Sequence, residues 1–220
     1  MGIGCDACLR GCEVQAGVER RRRVGLLGGT FNPVHVGHVA LGMQAKKEFS
    51  LDGVVYVPVG LPPHKRDEFV ADAQDRFAML QLAVGGQPGL SISRIEMDRQ
   101  GYTYTVDTLT DLKCLYPDDD FYFIIGADTL FEVQTWKNVA RVFELCGFIV
   151  FYRPGHHAVA MMEEVGRLRE AYGARMQFAE FTGPDVSSTL IRHKLERGES
   201  VEGMLPPGVE RYILENGVYG

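Results

Sequence analysis

The sequence predicts an α/β protein built on a doubly wound parallel sheet, with a small helical part at its C-terminal end. Three observations carry this. Strand-like and helix-like segments alternate from residue 24 onward. The strands are short, almost continuously apolar runs, which suits strands covered on both faces. The first strand ends in Gly28-Gly29 and passes straight into a helical pattern, as a βα unit does.

The elements follow in order. Residues 24–27 form a buried strand. Residues 36–49 place Val36, Val39, Ala40, Met43 and Phe49 at helical spacing, with Lys46 and Lys47 late, where cations suit the helix dipole. Residues 54–57 form a second strand stopped by Pro58. Asp72 is placed to cap a helix over 73–84, whose apolar positions include Phe77, Leu80 and Val84. Residues 90–97 alternate like a strand, 106–115 read as a helix, and 121–125 and 145–151 as buried strands. A helix over 161–172 and a strand over 176–181 follow, and helices over 187–197 and 207–216 close the chain. The sheet should have five or six strands, with its ligands outside their carboxyl ends at the topological switch point.

The whole-chain properties bound the function. With 220 residues, the chain holds one sizeable domain over 23–220, preceded by an N-terminal extension over 1–22. A formal net charge of −6 gives no general attraction to nucleic acid or anionic membrane. Bound phosphate must therefore meet local positive groups. The apolar run at 145–152 is too short to span a bilayer, and residues 1–18 hold no apolar signal core. The expectation is a cytoplasmic protein with no membrane partner and no disulfide scaffold. The extension carries Cys5, Cys8 and Cys12 in a CxxCxxxC spacing. Such a set lacks a local fourth metal ligand, and it reads first as a plain tail. The arginine run 20–23 reads as a solvated lead-in.

The most informative segment is Gly28-Gly29-Thr30-Phe31-Asn32-Pro33-Val34-His35-Val36-Gly37-His38. Paired glycines admit a ligand to the backbone, and the start of the next helix offers free N–H groups and a positive dipole end. His35 and His38 fall on one face of its first turn. The pattern lacks the lysine of a P-loop and the GxGxxG of a dinucleotide fingerprint. The bland alternative is a tight turn with two locally satisfied histidines.

This segment resembles the HxGH signature of the nucleotidylyl transferase superfamily. The resemblance implies a Rossmann-like fold and in-line attack of an acceptor phosphate on the α-phosphorus of ATP, with pyrophosphate leaving. It gives His35, His38 and Thr30 contacts to the triphosphate, with ATP accompanied by Mg²⁺ as cofactor. Asp185-Val186-Ser187-Ser188-Thr189-Leu190-Ile191-Arg192 resembles the superfamily's ISSTxIR motif. Read from chemistry alone, it is either a capped surface helix or a second anion site. The resemblance makes it the latter, with Ser188, Thr189 and Arg192 on the β- and γ-phosphates.

Other segments bear on the acceptor. Leu61-Pro62-Pro63-His64-Lys65 resembles the PPHK segment of bacterial nicotinate-nucleotide adenylyltransferases, which would bring His64 and Lys65 to the substrate phosphates. Residues 101–109 resemble the SYTVDTL of that family, where the backbone of Thr103 would face the nicotinate carboxylate. The resemblance gives Gly126 and Asp128 places in the adenosine pocket. Trp136, the single tryptophan, would stack on the pyridine rather than serve only as core. Arg153, in an Arg-Pro-Gly stretch, would reach the mononucleotide. The implied reaction joins ATP and nicotinate mononucleotide into deamido-NAD and pyrophosphate, in NAD biosynthesis. Two alternatives stay open: another acceptor (nicotinamide mononucleotide or phosphopantetheine), or a nucleotide-binding regulator without turnover. The oligomeric state, homo-oligomer included, is not set by the sequence.

Overall fold

The structure is a computed structural model and describes residues 20–60, 69–153 and 158–219. His64, Lys65, Cys5, Cys8 and Cys12 lie outside the described residues.

Six strands form one sheet in the order β3-β2-β1-β4-β5-β6. They are β1 (Arg23–Gly29), β2 (Gly53–Pro58), β3 (Leu90–Ile92), β4 (Asp120–Gly126), β5 (Gly147–Tyr152) and β6 (Met176–Glu180). All five pairings are parallel. The chain winds outward from β1 through β2 to β3, then returns to place β4 on the other flank of β1. The switch point therefore lies between β1 and β4, with Leu26 level with both Val55 and Phe123.

Two-sided burial follows from the alternation within each strand. Leu27, Val54, Tyr56, Ile124 and Ile149 face one apolar core, and Leu26, Val55, Val57, Ile125 and Phe148 face the other. Helices α1 (Val36–Glu48), α2 (Ala73–Val84), α7 (Ser188–Glu196) and α8 (Val209–Asn216) supply buried residues to the first core. Helices α3 (Thr105–Leu115), α4 (Ala127–Glu132), α5 (Val139–Leu145) and α6 (Ala158–Tyr172) supply the second. This is the doubly wound arrangement expected from the alternating runs.

Some details differ from expectation. The strand read over 90–97 ends at Ile92, because backbone from Arg94 turns (Asp98 N–H donates to the Arg94 carbonyl) and Glu96 points inward. Between β4 and β5 the chain forms α4, a 3-10 turn at Val133–Thr135 and α5, which the apolar pattern did not separate. Of the apolar residues read onto α1, Val39 and Phe49 pack against the first core, but Met43 does not. Met43 is half exposed, and Gly37, Gly42 and Ala45 are buried instead. At Gly42 a Cβ would come within 2.2 Å of the Tyr56 hydroxyl oxygen, so only glycine lets α1 approach β2 this closely. That hydroxyl donates to the His38 carbonyl at 3.0 Å, fixing the first turn of α1 to the sheet.

The arginine lead-in is solvent-exposed at Arg20 and Arg21, as expected, but it also carries ion pairs. Arg20 forms a bidentate pair with Asp52, at 2.6 and 3.0 Å, and Arg22 pairs with Asp119 at 3.2 Å. These contacts clamp the amino end of β1 to its neighbours.

Candidate active site

The carboxyl ends of β1 and β4 open into a cleft of about 240 Å³. His35, Gly37 and His38 line one side, and Gly126, Ala127 and Asp128 another. Tyr152 and Arg153 at the end of β5, with Pro184 and Val186 before α7, complete the wall. Residues from four βα crossovers thus converge on the switch point.

The two histidines share one face at the start of α1, as their spacing predicts. His35 is the N-cap, with extended backbone (φ −139°, ψ 171°), and His38 is the third helical residue. The cap geometry turns the His35 ring back over its partner, and the rings stack with centroids 3.7 Å apart. Gly37 permits this: a Cβ there would lie 3.0 Å from His35 Nδ1. The His35 amide donates to His38 Nδ1 at 3.2 Å, so the neutral His38 ring carries its proton on Nε2. Phe31 packs edge-on against the His38 ring with centroids 5.0 Å apart. Burial lowers the His35 pKa to about 4, and burial together with the His35 charge holds His38 well below the ordinary range. Both imidazoles are therefore neutral in the empty cleft at pH 7. His35 Nδ1 is buried with no hydrogen-bond partner. An enclosed imidazole of this kind is poised for an incoming polar or anionic group.

Gly28 and Gly29 are the last residues of β1, backed by the rings of Phe123 and Phe31 respectively. Thr30 follows, its carbonyl held at 2.9 Å by Arg76. Arg76 is a residue that sequence reasoning missed. It is 1% exposed, and its guanidinium donates to the carbonyls of Thr30, Val59, Gly60 and Ala71. One buried cation thereby gathers the exits of β1 and β2 and the approach to α2. In the letters it sits beside Asp75 on a helix and looks like half of a solvated pair.

The second motif meets the first through backbone. Ser187 caps α7, accepting from Leu190 N–H. The Ser188 hydroxyl donates to the Pro33 carbonyl at 2.8 Å, and Arg192 Nη1 donates to the Asn32 carbonyl at 2.9 Å. In this state the Ser188 proton is committed to protein. Thr189 is exposed at the helix start. Arg153 forms an ion pair with Asp185 and lies over the Phe181 ring at 5.5 Å. Gly126 caps α4 and Asp128 stands exposed in its first turn, both in the cleft wall.

Thr103 and the Trp136 turn both attach to the start of α3. Thr103 is buried just before the helix, its hydroxyl enclosed beside the Glu96 carboxyl. Glu96 also accepts from Thr108 at 2.8 Å, and burial raises its pKa. Lys137 reaches Asp107 at 3.0 Å and lies 4.3 Å over the Tyr104 ring, which pins the Trp136 turn to the start of α3. Trp136 is half-buried and meets Phe123 edge-on with centroids 5.6 Å apart. The same Phe123 ring backs Gly28. The tryptophan thus belongs to the core and stands one ring away from the end of β1.

Among the described residues, no group of three or more His, Cys, Asp or Glu side chains could hold a metal ion, and no helix is long and apolar enough to cross a membrane.

Residues 26–194 match the cytidylyltransferase-like family model, and the chain belongs to that family. Two curated relatives share one description. The probable nicotinate-nucleotide adenylyltransferase of Thermoanaerobacter sp. (strain X514) is 39% identical, over 92% of this chain and 96% of that protein. The protein of the same description from Halalkalibacterium halodurans is 41% identical, over 90% and 91%. Among solved structures, the Plasmodium falciparum nicotinic acid mononucleotide adenylyltransferase complexed with NaAD superposes with a TM-score of 0.73 at 17% identity, over 90% of this chain and 98% of that one. That likeness bears on the fold.

Proposed function

We propose that this protein transfers the adenylyl group of ATP to nicotinate mononucleotide, giving nicotinate adenine dinucleotide and pyrophosphate in NAD biosynthesis, in the cytoplasm. The observation that carries this reading is the stacked, neutral His35–His38 pair at the switch-point end of β1. The curated relatives described as nicotinate-nucleotide adenylyltransferases support the choice of acceptor.

The chemistry follows from positioning and charge. An oxygen of the acceptor's 5′-phosphate bonds to the α-phosphorus while the bond to the pyrophosphate oxygen breaks, in line. Negative charge grows on the leaving oxygens and on the equatorial oxygens. His38 presents Nε2–H, and His35 brings an imidazole whose Nδ1 has no partner. A polyphosphate beside them favours their protonated forms and raises their pKa values. Gly28, Gly29 and Thr30 bring backbone to the phosphates, and Ser188, Thr189 and Arg192 close on the β- and γ-phosphates. Gly126 and Asp128 border the adenosine. Thr103, Trp136 and Arg153, with His64 and Lys65, serve the mononucleotide. Mg²⁺ would neutralise charge on the triphosphate. It suits an ion that keeps its waters and binds through substrate phosphates rather than through a protein cage.

Pyrophosphate release from ATP and Mg²⁺, with nicotinate mononucleotide, nicotinamide mononucleotide and phosphopantetheine compared, tests the reading. Strong preference for the nicotinate form is expected. Preference for another acceptor would discard the roles of Thr103 and Trp136. Nucleotide binding with no release would make the protein a nucleotide-binding regulator.

A further inference from the structure

Behind the histidine loop, the side chain of Asn32 is 2% exposed and makes three hydrogen bonds. Its Nδ2 donates to the Phe69 carbonyl at 2.8 Å. Its Oδ1 accepts from Ala71 N–H at 3.0 Å and from the Tyr219 hydroxyl at 2.7 Å. Tyr219 follows α8, far from the loop in sequence, and is 8% exposed with its ring edge-on to Phe69. Its backbone sits at φ +72°, a left-handed conformation uncommon for a non-glycine residue, which directs the ring into this contact.

The front of the same residue meets the phosphate machinery. The Asn32 carbonyl holds Arg192 at 2.9 Å, and the next carbonyl, of Pro33, holds the Ser188 hydroxyl at 2.8 Å. His35 follows within the same loop. Residues 32 and 33 are thus the joint through which the two phosphate-binding motifs keep their relative place. The side chain of Asn32 fixes that joint from behind.

We propose that Tyr219 is a positioning residue for adenylyl transfer: through its hydrogen bond to Asn32 it sets where Arg192 and Ser188 stand against His35 and His38. The inference rests on the function proposed above. The phenol hydrogen-bonds the joint through Asn32, with Arg192 and Arg76 within electrostatic reach of it. Without its hydroxyl, Asn32 Oδ1 keeps one donor, Ala71 N–H, and a buried acceptor position stays empty. The ring of a phenylalanine still fills the space against Phe69. The loss should therefore appear in catalytic geometry, where sub-ångström placement counts, more than in acceptor binding.

The test is steady-state kinetics of full-length Tyr219→Phe and wild type, at a temperature where circular dichroism shows both fully folded. The expected result is a kcat lowered about tenfold with the KM for nicotinate mononucleotide within about twofold of wild type, the scale of one buried hydrogen bond expressed in the transition state. The same substitution in an Arg192→Lys background should cost much less than in wild type, since both act on one joint. Unchanged kcat, a change confined to KM, or fully additive losses with Arg192→Lys would overturn the proposal, whatever the melting temperature does. A wild-type protein that releases no pyrophosphate would instead strike the proposed function itself.

Discussion

The two ends of the sheet treat polar groups in opposite ways. At the amino end, charges are paired on the protein itself: Arg20 with Asp52, Arg22 with Asp119, and Arg175 with Asp120, which also accepts from Tyr122. Arg175 and Arg23 both lie over the Tyr122 ring, at 5.7 and 4.8 Å from its centroid. At the carboxyl end, histidines are buried and held neutral, one ring nitrogen has no partner, and Gly126 and Asp128 stand open to the cleft. Ion pairs matched within the protein make the amino end scaffold. A buried imidazole nitrogen in the cleft wall without a protein partner is kept for something that arrives.

The largest test of this contrast is His38→Ala. Turnover should fall by about 10²–10⁴-fold, the range for removing a positioned group that stabilises transition-state charge. Circular dichroism should show the fold retained. Near-wild-type pyrophosphate release would detach the carboxyl end from the chemistry.

Next in size is the dependence of stability on pH, where the two ends should act in different windows. His35 ordinarily titrates near 6.5 but is held to about 4 by burial. The unfolded chain therefore binds the extra proton first, and stability is lost as pH falls from about 6.5 towards 4, by about 3 kcal/mol for this group. Asp52 and Asp120 are held low by the arginines around them. Their contribution is present above the ordinary carboxylate pKa and goes only as pH falls through their depressed values. Urea denaturation at pH 7, 5.5 and 4.5 should show a slope that His35→Gln flattens. An identical slope in that variant would place the acid sensitivity elsewhere.

Trp136→Ala should raise the KM for nicotinate mononucleotide about tenfold and leave that for ATP nearly unmoved, the loss of one aromatic face. An effect confined to ATP would return Trp136 to the core alone. Smallest is Arg20→Ala at the amino end. Its side chain is 64% exposed, so removing the pair with Asp52 should cost under about 1 kcal/mol and leave kcat untouched. A large kcat effect there would erase the contrast.

Most of the frame was legible in the sequence because buried parallel strands are apolar runs, and the five long ones fall where those runs lie. The weakest signal was misread. The edge strand β3 spans Leu90–Ile92; Ser93 N–H still reaches the Tyr56 carbonyl, and from Arg94 the chain turns despite its alternating letters. The histidine segment was legible as a motif but not as a shape, since the stack depends on an extended cap at His35. Arg76, Asn32 and Tyr219 were not legible as a set. Their partners are backbone carbonyls and each other across long sequence separations, and letters carry no trace of a carbonyl's position.

The order of the strands also has a meaning for how the protein comes to exist. β1 can pair with β2 soon after both are made, through a single helix. Its other flank waits for β4, so that pairing closes a much longer loop. The histidines belong to the first half and Gly126 and Asp128 to the second. The cleft therefore comes into being only when the halves dock, and a chain stopped before β4 would lack both its far wall and the contacts from Ser188, Arg192 and Tyr219 that hold the histidine loop.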